Sequence, residues 1–200
     1  MMLELFGRKE FVIFTTRDYA NAAALSLSAA SKQLSRLHDR KFLKQITKGV
    51  WANTAHPYFH PLSCVPLLLG KEHGYVSFLT ALHLHGAVSQ IPATVQVATS
   101  GHSRVLESPV GRFEFLQIKP ELMQAGVTWS ETQLPFQLAT PEKALFDVLY
   151  ISTRKNRRFA RLPELTLEAT AFKRREFQRL MRDLPLEPRL RVAMAARLPA

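Results

Sequence analysis

This chain of 200 residues lacks the means to form disulfides and lacks long apolar segments. Its single cysteine, Cys64, cannot form an internal disulfide and favours a reducing compartment. No stretch approaches the roughly 18 unbroken apolar residues of a membrane-spanning helix. The N-terminal residues also lack the cationic and apolar regions of a secretory signal. We therefore expect a soluble cytoplasmic protein that has no membrane partner.

Sequence motifs for catalysis and metal binding are also missing. The chain has no GxxxxGK[ST] phosphate loop, no GxGxxG loop, and no Gly-Ser followed by the paired-aspartate strand of a nucleotidyltransferase. His83 and His85 are two residues apart, so on a helix they point in nearly opposite directions and cannot share an ion. The apolar neighbours of Cys64 favour a buried thiol over a nucleophile. We expect no enzymatic activity, no catalytic residues, no cofactor and no metal.

Basic side chains outnumber acidic ones, and this excess of positive charge points to a polyanionic partner. The chain carries 27 Lys and Arg against 16 Asp and Glu, a net charge of +11, and its pI is near 10.2. The net charge is +5 for residues 1–60, −2 for residues 61–150 and +8 for residues 151–200. Basic ends around a nearly neutral middle predict a packed centre flanked by electropositive surfaces, which are typical of nucleic-acid binding.

The N-terminal quarter of the chain contains the pattern of a winged helix-turn-helix. Thr16 is a candidate N-cap for a first helix over residues 16–23. Ser26 or Ser28 then caps a second helix that ends near Arg40. Helix, turn, helix and hairpin in this order favour DNA binding over a small helical domain with a merely solvated basic face.

A turn and a basic hairpin complete this pattern. Ala24 occupies the turn between the helices, where glycine is common, and an alanine is expected to make this turn only if its φ stays negative. Two strands are predicted over residues 42–46 and 50–53. Gly49 suits the tight turn between them because it accepts positive φ, and Lys48 at the tip is placed to meet a phosphate or the minor groove.

The second helix has one apolar face and one polar, cationic face. Ala30, Leu34 and Leu37 share the apolar face at helical spacing. The opposite face can donate hydrogen bonds to phosphates and base edges. The candidate DNA-binding residues of the two helices and the hairpin are Thr16, Arg17, Ser28, Ser31, Lys32, Gln33, Ser35, Arg36, Lys44 and Lys48.

The rest of the chain predicts an α+β domain of helices around a small β-sheet. The predicted helices are 60–70, 75–85, 141–152, 172–184 and 188–198, and the predicted strands are 93–99, 112–119 and 133–139. In the third of these helices Glu142 suits the first turn, and Asp147 is interpreted as its polar edge. We divide the chain into a head domain, residues 1–56, and a body domain, residues 61–200.

The chain resembles the AbiEi-type antitoxins, which are winged-helix transcriptional regulators of type IV toxin–antitoxin and abortive-infection systems. The resemblance covers about residues 10–155. It rests on FTTRDYA and SRLHDRKFLKQITKGVW in the head, on GYVSFLTALHLHG (74–86) and VQVAT (95–99), and most strongly on ATPEKALFDVLY (139–150).

The resemblance implies an autorepressor that binds inverted repeats in its own promoter. It also implies an antitoxin that counteracts a nucleotidyltransferase-type toxin, so the implied partners are double-stranded DNA and a cognate toxin. The alternative is a protein-interaction module that binds a partner without sequence-specific DNA binding. A mobility-shift assay with the DNA upstream of the gene separates the two functions.

A stripe of cations in the C-terminal tail is a second candidate contact. Arg174, Arg175, Arg179 and Arg182 are spaced mostly three or four apart, so most of them share one helix face. Such a face could contact phosphates or a protein partner, and a solvated face is an equally good interpretation.

Overall fold

The chain folds as a mixed α+β protein with two β-sheets. The structure, a computed structural model, describes residues 2–154, 159, 163–167 and 171–197. The elements described in the head are α1 (Met2–Phe6), β1 (Ile13–Thr15), α2 (Thr16–Ala22), α3 (Leu27–Asp39), β2 (Lys44–Thr47) and β3 (Val50–Ala52). The three strands form an antiparallel sheet in the order β1-β3-β2, of which the sequence predicted only β2 and β3.

The N-cap of α2 is Thr15, so the assignment to Thr16 is wrong. The backbone N–H of Asp18 donates to Oγ1 of Thr15 (3.2 Å), and the backbone N–H of Thr15 donates to Oδ2 of Asp18 (2.8 Å). This reciprocal capping box needs a cap three residues before the acid, a spacing that Thr15 meets and Thr16 does not. Ser26 caps α3 by accepting the N–H of Ala29 at 3.2 Å, which decides between the two candidate caps.

The turn between α2 and α3 is left-handed at Ala24, contrary to expectation. The φ of Ala24 is +52°, a conformation that costs a non-glycine residue about 1–2 kcal/mol. Two hydrogen bonds offset this cost: the N–H of Leu25 donates to Ala20 O (2.9 Å), and that of Ala24 donates to Asn21 O (3.4 Å). They form the Schellman motif that commonly ends a helix.

The body contains a six-stranded mixed sheet in the order β6-β7-β5-β4-β9-β8. Its elements are α4 (Val65–Leu69), β4 (Gly74–Val76), α5 (Phe78–Leu84), β5 (Val95–Thr99), β6 (Arg104–Ser108), β7 (Gly111–Gln117), β8 (Val127–Trp129), β9 (Gln137–Ala139), α6 (Pro141–Ser152), α7 (Arg174–Asp183) and α8 (Pro188–Ala195). Helix α6 follows the predicted bounds and is capped by Thr140, whose Oγ1 accepts the N–H of Lys143. No helix in the described part of the chain is long and apolar enough to cross a membrane.

Several predicted elements of the body have the wrong type or length. The helix predicted over 75–85 is a strand, β4, followed by the shorter α5, because a short apolar run fits a buried strand and a buried helix equally well. The helix predicted over 60–70 is a 3-10 turn, Pro61–Cys64, followed by α4. Strands β6 and β8 are missing from the prediction, and β9 is shorter than predicted.

Helix α6 is the centre of the body because every one of its residues is buried. It packs within the larger apolar cluster of the body, together with side chains of α5 and α7. A second cluster joins the head and the body: Ile46, Val50 and Ala52 of the head belong to it together with body residues that include Phe113 and Phe115. The head sheet and the body therefore share apolar packing.

Candidate nucleic-acid interface

Helix α3 presents its polar face to solvent and its apolar face to the head. Ala30 and Leu34 are fully buried against α2 and the sheet. Among the candidate residues of α3, the exposed ones are Ser28, Ser31, Lys32, Ser35 and Arg36, in agreement with the polar face that the sequence predicts. These residues occupy one continuous surface of the helix that carries hydroxyl and cationic donors, which are the groups used to contact phosphates and base edges.

Gln33 is only partly available for such contacts. Its side chain is half-buried, and its Oε1 accepts a hydrogen bond of 2.8 Å from the Tyr19 hydroxyl. Burial raises the pKa of Tyr19, so that hydroxyl stays protonated and able to donate. The contact holds α3 against α2, so Gln33 positions the helix and leaves its amide nitrogen for other partners.

Thr16 anchors the β2–β3 hairpin to α2. Its Oγ1 accepts a hydrogen bond from Nε1 of Trp51 (2.9 Å) and donates to Gly49 O (3.5 Å), while its backbone N–H donates to the same carbonyl at 2.9 Å. Gly49 has φ +78°, which confirms the expected glycine turn. The Thr16 hydroxyl is thus used inside the head, and Arg17 and Lys48 beside it are exposed.

Lys44 points toward the body. Its Nζ donates to the carbonyl oxygen of Pro109, in the turn between β6 and β7, at 3.4 Å. The Lys44 side chain is exposed, and this long bond places it where the head meets the body.

The exposed cations of the head are not neutralised by nearby acids. None of Arg17, Lys32, Arg36 and Lys48 belongs to an ion pair formed within the described residues. The electropositive surface that the composition predicts is therefore available to an anionic partner.

The arginine stripe of α7 is partly neutralised by acids on the same helix. Arg179 lies 3.5 Å from Asp183 and 3.8 Å from Glu176, and Nε of Arg182 lies 2.7 Å from Asp183. Within the described part of the chain, Arg174 and Arg175 form no ion pair and are exposed. Two of the four predicted arginines thus remain as unneutralised cations at the start of α7.

Two histidines and the cysteine of the body have structural roles. Nε2 of His85 hydrogen-bonds the carbonyl oxygen of Ala139 at 2.8 Å, and Nδ1 of His83 hydrogen-bonds the carbonyl oxygen of Val88 at 3.0 Å. Burial raises the pKa of the Cys64 thiol to about 12, so it is not a nucleophile at neutral pH. The described residues contain no group of three or more His, Cys, Asp or Glu side chains placed to hold a metal ion.

The sequence interpretation missed a buried polar cluster in the body. Nζ of Lys143 pairs with Oδ1 of Asp147, and both side chains are fully buried. Oδ2 of Asp147 accepts hydrogen bonds from Ser77 Oγ (2.7 Å) and Tyr75 OH (3.0 Å). Asp147 is therefore not the polar edge of its helix. Burial raises its pKa, and Lys143 and the two hydroxyls partly oppose that rise.

The signal for this cluster lay in the spacing of the two charges. Lys143 and Asp147 are four residues apart in a helix that otherwise reads as apolar, so they lie on the same face and can pair. Lys143 also lies over the ring of Phe146 at 4.6 Å and is packed beneath Gly126. Both charges are enclosed, so the cluster has no exposed group that could meet a substrate.

Comparison of the chain with models of protein families and with curated proteins finds no match.

Proposed function

We propose that the head is a winged helix-turn-helix that binds double-stranded DNA, with α3 in the major groove and the β2–β3 hairpin as the wing. The observation that carries the proposal is the continuous exposed surface of α3, with its hydroxyls and unpaired cations. A B-DNA major groove about 12 Å wide admits one α-helix. In this motif the N-terminal residues of the second helix reach the base edges.

On this proposal the residues of the head divide by role. Lys32 and Arg36 contact DNA from the second and third turns of α3, with Ser28, Ser31 and Ser35 beside them. Lys48 and Arg17 contact the sugar–phosphate backbone. Thr16 and Gln33, whose side chains are engaged inside the head, position the wing and the helix.

The resemblance to AbiEi-type antitoxins supports a proposal for the role of the protein in the cell. The protein is then a transcriptional autorepressor that binds inverted repeats in its own promoter and counteracts a nucleotidyltransferase-type toxin. The two unneutralised arginines at the start of α7 offer a second contact, to flanking phosphates or to the toxin. The alternative function is an interaction module without sequence-specific DNA binding. It would use the same body and would give the exposed surface of α3 no function.

The decisive experiment measures binding to the DNA upstream of the gene and to a scrambled duplex of equal length. We expect Lys32→Ala and Arg36→Ala each to cost about 1–3 kcal/mol of binding free energy, with a larger loss on the upstream DNA if the side chains read bases. Lys71→Ala, which removes an exposed cation of the body, is the matched control. An unchanged affinity in the Lys32/Arg36 double variant would exclude the proposed interface.

The antitoxin role needs a separate experiment. Co-expression of the chain with the product of the neighbouring reading frame should restore growth if that product is a toxin. Replacing Arg174 and Arg175 with Gln should abolish rescue and spare DNA binding if these arginines contact the toxin. If both contact DNA instead, affinity for upstream and scrambled DNA should fall together at low salt.

A further inference from the structure

An exposed apolar side chain lies at the N-terminal end of α3, at the edge of the surface that carries its hydroxyls and cations. Leu27, the first residue of the helix, is 51% exposed. It is the one large apolar side chain of α3, all of whose residues the structure describes, that stands this far into solvent.

Leu27 has no evident role in holding the head together. The core face of α3 is formed by Ala30 and Leu34, both fully buried. The residue before the N-cap often packs back onto the first turns of a helix as a hydrophobic staple. Here that position belongs to Leu25, which packs against the apolar cluster of the head. Ser26 and Leu25 thus already fill the N-cap and staple positions, and Leu27 is needed for neither.

One neighbour of Leu27 lies on the surface proposed to meet DNA. Ser31 is four residues further along and is thus adjacent on the helix surface. Lys32 lies on the next turn, about 140° around the helix axis from Leu27. The first turns of a recognition helix enter the major groove most deeply, so Leu27 is placed at the leading end of the proposed interface.

We propose that Leu27 contacts the C5-methyl group of a thymine and so makes the protein prefer an A·T pair at that position of its site. This proposal rests on the proposed DNA-binding function and adds a specificity-determining residue to it. The thymine methyl is an apolar group that the major groove displays, and proteins read it by apolar contact. A leucine can make that contact but offers no hydrogen bond to a base edge.

The test compares thymine with deoxyuridine, which lacks only the methyl group and keeps the same pairing and the same O4 acceptor. A preferred duplex is first selected from a random pool with the wild-type protein. Each thymine is then replaced singly by deoxyuridine. We expect the affinity of the wild type to fall about fourfold at one position in each bound site, the factor for burying one methyl group.

The same two duplexes are then measured with Leu27→Ala, so that the loss of the side chain and the loss of the methyl group can be compared. This variant should bind the thymine duplex about as weakly as the wild type binds the deoxyuridine duplex, and it should not distinguish the two. Because both proteins meet the same modified DNA, a change in the flexibility of the duplex affects them equally. Leu27→Met, which keeps an apolar side chain, should retain discrimination, and Ile91→Ala, which truncates an exposed apolar residue of the body, should behave as the wild type.

The outcomes separate this inference from the function on which it rests. If selection enriches a sequence and Lys32→Ala weakens binding, but no position responds to loss of a methyl group, the role of Leu27 is excluded while DNA recognition stands. Equal sensitivity of the wild type and Leu27→Ala at every position also excludes it. If selection enriches no sequence, both proposals fail together.

Discussion

At the scale of single residues, the strongest constraint in the body is the ion pair of Lys143 and Asp147. Two opposite charges without solvent contact cost several kcal/mol each to dehydrate, and their attraction offsets that cost only with good geometry and further hydrogen bonds. Asp147 has such bonds, from the Tyr75 and Ser77 hydroxyls. The pair therefore fixes the position of α6 against β4 through polar contacts inside an apolar cluster.

Lys143→Met should lower the free energy of unfolding by about 3–5 kcal/mol, because it leaves the Asp147 carboxylate buried without its cation. The double variant Lys143→Met, Asp147→Leu should recover most of that loss, since neither charge remains. Urea denaturation of the three proteins measures the differences. Equal stabilities of the single and double variants would show that the pair is not coupled.

The stability of the Lys143→Met variant should depend on pH and should fall as the pH rises. Without Lys143, burial raises the folded-state pKa of Asp147 further above the ordinary value of about 3.9. The folded protein then binds a proton more tightly than the unfolded chain, so stability falls as pH rises from the unfolded pKa toward the folded one. Lys143→Met should accordingly lose less stability at pH 4 than at pH 7, relative to the double variant at each pH.

At the scale of elements, the β2–β3 hairpin is held to α2 by the hydroxyl and the N–H of Thr16. The turn residue Lys48 therefore projects from a fixed support. A cation at such a tip that meets a phosphate releases one counterion and contributes to affinity without regard to sequence.

Lys48→Ala should weaken binding to upstream and scrambled DNA alike, and it should lower the slope of log affinity against log salt by about one. Fluorescence anisotropy over a salt series measures both effects. Lys71→Ala should leave the slope as in the wild type. A normal slope for Lys48→Ala would mean that the hairpin points away from the DNA.

Elements with strong local signals were predictable from sequence, and those fixed by distant contacts were not. Helix α6 has a cap, a proline at its first position and a continuous apolar run, and its bounds are as predicted. Strand β4 lacks such signals because Tyr75 and Val76 become a strand through pairing with β5 and β9. Strand β8 is an edge strand whose Trp129 is exposed, so no alternation of buried and exposed residues marks it.

In the candidate interface, too, features set by local spacing were predictable, and features set by distant contacts were not. The exposure of Lys32 and Arg36 followed from helical spacing alone. The engagement of Gln33 by Tyr19, and of Lys44 by the Pro109 carbonyl, depends on partners 14 and 65 residues away. Spacing within one helix cannot indicate such contacts.

At the scale of the whole molecule, the head and the body meet through apolar packing. Ile46 and Val50 of the head sheet belong to the same cluster as Phe113 and Phe115 of the body. The boundary between residues 56 and 61 therefore separates two parts of one continuous cluster. The body nevertheless contains α6 and its own larger cluster, which supplies a core of the size that commonly folds alone.

The fragment 61–200 should fold by circular dichroism, fail to select any DNA sequence, and unfold at a lower temperature than the full chain. It should also bind a hydrophobic dye, because the apolar cluster that includes Phe113 and Phe115 loses its head residues. The full chain with Ile46→Ala and Val50→Ala should shift the unfolding temperature in the same direction. An unfolded fragment would contradict the division into two domains.

The shared cluster also limits how such a protein can be recombined. A head that shared no apolar cluster with its body could be transferred to another body without loss of packing. Here a transplanted head would bring Ile46, Val50 and Ala52 without the body side chains that belong to the same cluster. A functional chimera would have to carry those parts of the body along with the head, so the smallest exchangeable unit is larger than the surface proposed to meet DNA.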